Sequence, residues 1–384
     1  MRLRSLKYSE EIGTPQEWHL DGLRLGSKTL LVGSNASGKS RTLAIIASMA
    51  RAMNGQQGLG KSGNFDGVFD NEGTEYRYQI MFKESKVVSE SLTVNSELVL
   101  SRGLEGVGEI LFEGMGPEPI MGPFQAPDNL IAAVVRRDST QHSFLEPLHL
   151  WASSLRFYQF GLQLGKDAYA VFIPNSPFSV DDRDQNAVVG IFAEGLKLDA
   201  NRFRQSIIAD MAKVGYEISE VGIAPPQTMQ FQGAPPEMNG LYVLEKNLPG
   251  RTEQHSMSQG MFRVLSLLIH VNYAEMRKSA ACVIVDDIGE GLDFQRSCRM
   301  INLLRRKAEE SNIQVILSTN DKFVMNEVPL DEWAIVQRNG NRVSIRNYEN
   351  SKEIFDDFRF TGLSNFSFFE MDVINTHEST VYPN

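Results

Sequence analysis

Gly33-Ser34-Asn35-Ala36-Ser37-Gly38-Lys39-Ser40 fits the pattern G-x-x-x-x-G-K-[ST] at every fixed position. Such a loop has a defined chemistry: the glycines let backbone N–H groups turn inward around phosphate oxygens, and the helix that follows aims its positive end at them. Lys39 is placed to reach the outer phosphates, the Ser40 hydroxyl to ligate Mg²⁺, and Arg41 to join the loop as the first helical turn begins. A second set of candidates closes the apolar run 281–285. Asp286 and Asp287 stand at its end and Glu290 follows three residues on. A buried parallel strand delivers acids in this way at its C-terminal edge, where a phosphate loop also lies. Asp286 suits a Mg²⁺ partner, Asp287 suits the residue that orients or deprotonates an attacking water, and Glu290 competes for that last role.

The elements needed to hold these residues are legible around them. Short β-rich runs at 3–8, 18–25 and 29–32 lead into the loop, and 40–53 carries apolar residues at helical spacing until Asn54-Gly55. Runs at 75–82 and 91–101 read as a β-lobe, whereas 101–130 is rich in Gly and Pro and fits no element. The stretch 185–214 has helical periodicity, and 224–236, with two Pro-Pro pairs, reads as a linker. The last third returns to alternation: helix 259–276, strand 281–285, helix 294–310, strand 313–318, then a hairpin in which Asn339-Gly340 signals a type I′ turn. The expected division is 1–100 for the first half of the core with the β-lobe, 101–236 for an inserted, largely helical lobe and linker, 237–350 for the second half, and 351–384 for a Phe-rich segment.

Read together, these motifs resemble the ABC ATPase class, in the soluble branch that holds SMC and RecF-like proteins and the OLD-type ATPases of bacterial phage defence. Ser258-Gln259-Gly260-Met261-Phe262-Arg263 stands where that class carries its S-x-G-x signature, and Gly291-Leu292-Asp293 looks like its D-loop. The resemblance implies an α/β P-loop NTPase with an ABC-type head, a mixed sheet flanked by helices, and an inserted β/helical lobe. It also implies ATP and Mg²⁺ as cofactors, with Ser258, Gln259, Gly260 and Asp293 contacting nucleotide. Physically, Ser258 caps a helix start and so makes a second anion cradle. One chain needs one cradle; two make sense if a homodimer or higher homo-oligomer closes each ATP between copies. Departures from the class are visible. Asp287 occupies a position usually held by Glu, and Asn320 stands where many relatives have a His that can shuttle a proton. Both imply slow turnover and leave binding untouched. Gln79 and Gln159 are the candidates for the Mg²⁺-sensing glutamine.

The stretch from Lys39 to Asp286 is too long for a minimal head, and it lacks the heptads of an SMC coiled coil, so the insertion is a compact lobe. Nothing after the core is long enough for a nuclease domain, which leaves any effector to a separate protein. The 384 residues carry a net charge of -10, which argues against a uniformly basic nucleic-acid surface, although a local groove stays possible. The clusters Arg136-Arg137 and Arg305-Arg306-Lys307 read as solvated helix faces. With two cysteines, no signal segment and no long apolar run, the expectation is a cytoplasmic, soluble protein without a membrane span. The functional expectation is an ATPase sensor or scaffold in phage defence. A RecF-like DNA clamp and a non-hydrolysing nucleotide scaffold stay open. Phe355, Phe358, Phe360, Phe366, Phe368 and Phe369 either pack on the core or form a docking surface.

Overall fold

The computed structural model describes residues 1–114, 118–173, 179–228, 237–279, 282–311 and 313–370. It divides into two compact units, one formed by Met1–Leu155 with Val328–Asn384 and the other by Arg156–Glu327.

In the first unit, strand Lys28–Val32 carries the phosphate loop at its C-terminal end. It runs parallel to Trp333–Asn339, which pairs antiparallel with Arg342–Asn347; that strand in turn runs parallel to Trp18–Arg24. From there Arg2–Glu10 leads into an antiparallel meander of Ser62–Asn71, Thr74–Lys83, Lys86–Val94, Glu97–Arg102, Val107–Phe112 and Ile120–Gln125. The meander exists because inward positions alternate: Phe65 and Phe69 face the core opposite Ile80 and Tyr76, and every one of these is buried. Gly67 lies between the two phenylalanines, where a Cβ would stand 2.6 Å from the Phe65 ring.

The segment after residue 100 departs from expectation. Instead of opening a helical lobe, residues 107–125 add two more strands to the meander. Pro123 is tolerated because Ile120–Gln125 is the last strand among the described residues, with one edge unpaired by any of them. A buried carboxylate fastens residues 130–133 to this sheet: Glu90 forms an ion pair with Arg102 at 2.9 Å and accepts hydrogen bonds from Tyr78 Oη at 3.0 Å and from the backbone N–H groups of Ala132 and Ala133. Residues 101–155 therefore belong with the loop-bearing unit, which corrects the expected boundary at 100.

In the second unit, Leu155–Gln159, Cys282–Asp286 and Gln314–Ser318 are neighbours in that order. The last two run parallel, with Val285 opposite Leu317. Helix Val188–Val214 is broken at Asp199, whose backbone is extended (φ -163°, ψ 97°) and whose carboxylate accepts the N–H of Arg202. The periodicity that reads as one helix is two segments joined at a new cap. Ile218–Ala224 pairs with Met238–Glu245, so 224–236 connects two strands of one sheet within this unit and is no linker between lobes; its residues 229–236 lie outside the described residues. The boundaries expected at 236 and 350 are corrected likewise, since 156–327 forms one unit and 328–370 joins the other.

The hairpin at 339–342 also differs in kind. Asn339 pairs with Arg342, so Gly340 and Asn341 are the central residues, and of these Gly340 alone has positive φ (+61°), the arrangement of a type II′ turn. In the Phe-rich segment, Phe368 packs on Phe355 and Phe358 at 4.9 and 4.7 Å and all three are buried, whereas Phe360 is exposed; 371–384 lies outside the described residues.

Candidate functional site

The phosphate loop joins strand Lys28–Val32 to helix Lys39–Met53. Its two fixed glycines have separate reasons. A Cβ on Gly33 would stand 2.6 Å from Ser37 Oγ and 2.7 Å from the Val336 carbonyl oxygen, so only a residue without one fits. Gly38 has φ +108°, a conformation that costs glycine nothing and other residues much. Gly38 is also the helix N-cap and offers no side-chain acceptor, and a helix start of this kind suits an anion. Lys39 is buried, and its ammonium donates to the carbonyls of Gly33 (2.7 Å) and Ser34 (3.1 Å), across the mouth of the loop. The loop thus holds its lysine turned inward. Ser37 is buried with its hydroxyl unpartnered, a polar group that a phosphate oxygen would satisfy. Beside it Arg41 pairs with Glu10, and its guanidinium lies 4.5 Å from the Trp18 ring. Sequence reading missed Glu10 and Trp18, because the strand pairing that brings them to Arg41 leaves no local pattern.

In the second unit the apolar strand ends on buried Asp286, at 5% exposure, followed by half-buried Asp287. Asp287 takes the left-handed conformation, φ +55°, which Asp adopts more readily than most residues and which turns the chain sharply at the strand's end. Ser318 holds both acids: its hydroxyl donates to Asp286 Oδ1 and its oxygen accepts the Asp287 N–H at 2.9 Å. The exposed amide of Asn320 approaches Asp287 Oδ1 at 3.5 Å. Asp286, Asp287 and Asn320 are thus brought together, with Ser318 as a partner not anticipated. Aligning the two apolar runs in parallel register would have exposed it, since Val285 opposite Leu317 places Asp286 level with Ser318. Glu290 is exposed, donates its backbone N–H to the Asp287 carbonyl at 3.2 Å, and holds its carboxylate against Gly161.

Ser258 caps helix Gln259–Arg277, accepting the Met261 N–H at 3.2 Å, and is itself exposed. Gly260 packs on the loop 287–293 so closely that a Cβ would stand 2.8 Å from the Gly291 carbonyl oxygen. Asp293 accepts the Arg296 N–H and pairs with its guanidinium, so it serves as the cap of the following helix, Phe294–Ser311. Of the two glutamines, Gln79 lies mid-strand in the meander opposite Asp66. Gln159 ends the strand beside Cys282–Asp286, and the next residue, Phe160, donates its N–H to the Asp286 carbonyl at 2.9 Å.

The donor set suits a hard cation. Asp286 offers carboxylate oxygens, and among the described residues no group of three or more His, Cys, Asp or Glu could cage a metal alone. Mg²⁺ fits such a set, because it usually takes one or two protein ligands and completes its shell with phosphate and water.

Two solved structures are similar to the chain over nearly its full length. One is an SMC head bound to the C-terminal winged-helix domain of ScpA, with a TM-score of 0.52 and 14% identity, covering 92% of this chain and 100% of that one. The other is an Smc head with an extended coiled coil bound to the C-terminal domain of ScpA from Pyrococcus furiosus, with a TM-score of 0.50 and 12% identity, covering 93% and 99%. The chain has the fold of an SMC head domain. No protein-family model matches the sequence, and no curated protein matches it either. The SMC-head fold is a P-loop α/β fold of ABC type, as the motifs led one to expect. Among the described residues, no helix is long and apolar enough to cross a membrane.

One expectation about charge fails. Lys307 is no solvated cation: it is largely buried and bound to Asp210 at 2.9 Å and Glu275 at 2.7 Å. That removes it from any basic surface.

Proposed function

We propose that the chain binds Mg·ATP through residues 33–41, hydrolyses it slowly, and uses the nucleotide to bring copies of itself together. Asp286 and Ser40 serve as the protein ligands of Mg²⁺. Asp287 orients or deprotonates the attacking water, with Asn320 beside it and Glu290 as the alternative base. When bound, Mg²⁺ neutralises charge developing on the phosphate oxygens.

The observation that supports this reading is that one chain carries two helix starts of a kind suited to anions, one after the loop before Lys39 and one at the exposed, serine-capped helix start at Ser258. A second such start gains a purpose when Ser258, Gln259 and Gly260 of one copy meet the γ-phosphate held by Lys39 of another, with Asp293 at the same border. ATP then has a differential affinity for the assembled state, which is what a ligand needs to shift a population. The short Asp287 side chain and the absence of a histidine at Asn320 support slow turnover.

In biological terms we read the chain as a cytoplasmic sensor or scaffold ATPase of phage defence, acting on a separate effector protein. Support comes from the motif resemblance, and from both similar structures holding a domain of a second protein, ScpA. The test is particle mass with and without a non-hydrolysable ATP analogue. A doubling or more supports the reading, whereas an unchanged monomer with tight ATP binding leaves a simple nucleotide binder. ATP-stimulated, salt-dependent DNA affinity would instead favour a DNA clamp.

A further inference from the structure

Arg263 is buried in the first turns of helix Gln259–Arg277 and spends its guanidinium on backbone oxygens alone. Nε donates to the Leu162 carbonyl at 2.9 Å, Nη1 to the Glu290 carbonyl at 2.9 Å, and Nη2 to the Gly161 carbonyl. These carbonyls belong to two separate segments. One is the turn that follows Gln159, and the other is the loop that carries Asp287, Glu290 and Asp293.

The packing around Arg263 is built to admit it. A Cβ on Gly291 would stand 2.6 Å from Nη1, one on Gly161 would strike the Glu290 carboxylate, and one on Gly260 would stand 2.8 Å from the Gly291 carbonyl oxygen. Three glycines thus let helix, turn and loop approach one another about a single side chain. Neighbouring bonds tie the turn to the same helix: Gln259 to Gln163 at 2.6 Å, and Ser266 to the Leu164 carbonyl at 2.8 Å. Arg263 alone in this group bonds both the turn and the loop. Its planar fork reaches three acceptors in different directions, which a single ammonium cannot do.

We propose that Arg263 is a positioning residue that makes the serine-capped helix start, the turn at 161–162 and the loop 287–293 move as one body. Displacement of Ser258 is then passed to the backbone that sets Asp287 and Glu290. This deepens the ATPase reading and rests on it. Arg263 touches no reacting atom in this role, so its loss leaves nucleotide capture intact and misplaces the groups that act on water. Misplacement on the scale of an ångström costs roughly a hundredfold in rate.

The experiment compares wild type, Arg263→Gln and Arg263→Lys in the full chain. Readouts are Mg·ATP affinity, kcat and KM, and hydrogen exchange of peptides covering 160–165 and 287–293. The expected result is affinity and KM within about twofold of wild type, with kcat lowered at least about tenfold in both variants. Exchange should rise in both peptides together while 264–277 stays protected. Arg263→Gln combined with Gly291→Ala should be no worse than the more severe single change, because both cut the same link. Wild-type kcat in Arg263→Gln overturns the inference, as does full rescue by Arg263→Lys, which would mean that a positive charge suffices. Should Arg263→Gln not fold, exchange in Arg263→Lys decides: unchanged protection in either peptide overturns the proposal. A wild type that binds ATP without turnover overturns the ATPase reading itself, a result distinct from the others.

Discussion

Ser318 bonds Asp286 and the backbone N–H of Asp287 through one oxygen, so a single hydroxyl sets the positions of two successive acids. Asp286 is buried, and its carboxylate direction is therefore decided by this bond and its other neighbours. We predict that Ser318→Ala lowers Mg²⁺-dependent ATP turnover at least about tenfold and destabilises the fold by about 1–3 kcal/mol, since it leaves an N–H without its acceptor. Urea unfolding and a Mg²⁺ titration of turnover read the two effects. Unaltered Mg²⁺ dependence would show that Ser318 is a structural residue only.

Capture of nucleotide should depend first on the loop. Lys39→Ala is predicted to weaken ATP binding by at least about a hundredfold, and Gly33→Ala to do nearly as much, because its methyl group would overlap Ser37 Oγ and the Val336 carbonyl. Equilibrium binding of a fluorescent ATP analogue measures both. A Gly33→Ala variant that binds normally would mean the loop can open by a route the packing does not suggest.

The role of the base separates two acids. Asp287→Ala should keep ATP affinity, lower kcat about a hundredfold or more, and accumulate the assembled form. Glu290→Ala should have the smaller effect, because the Ser318 and Asn320 side chains bond Asp287, whereas the Glu290 carboxylate lies against Gly161. The reverse order of kcat losses would transfer the role to Glu290.

Completion by a second copy predicts complementation. Lys39→Ala and Ser258→Arg chains, each inactive alone, should regain about a quarter of wild-type turnover when mixed in equal amounts, since about half of the dimers are mixed and each of these holds one intact composite site of two. Absence of any recovery across a range of mixing ratios would falsify assembly through Ser258.

Burial pushes the imidazole of His270, set edge-on to Tyr158 at 5.0 Å, down to about 3 from an ordinary 6.5. The folded state therefore binds fewer protons than the unfolded chain between these values. The stability from this group is present above about pH 6.5 and is lost as pH falls towards 3, at up to about 1.4 kcal/mol per pH unit. His270→Leu should flatten that part of the pH dependence, measured by urea unfolding at pH 7 and pH 5. Equal slopes in the two proteins would place the acid sensitivity elsewhere.

Local patterns determined much of this protein. The glycine-framed turn before Lys39, the serine cap at Ser258 and the apolar run ending in Asp286 and Asp287 were all readable, because each depends on φ/ψ demands, capping or periodicity within about a dozen residues. Contacts between distant segments were decided by the tertiary structure. Ser318 reached Asp286 through parallel register, Arg263 joined three segments through burial, and Lys307 was drawn from an apparent surface cluster to two acids. The meander ran past residue 100 because an edge strand tolerates Pro123 and a buried Glu90 fastened the adjoining segment. The physical reason is common to all: a side chain's partners are set by which elements pack together, and residue types along one stretch of chain carry no record of what lies across from them.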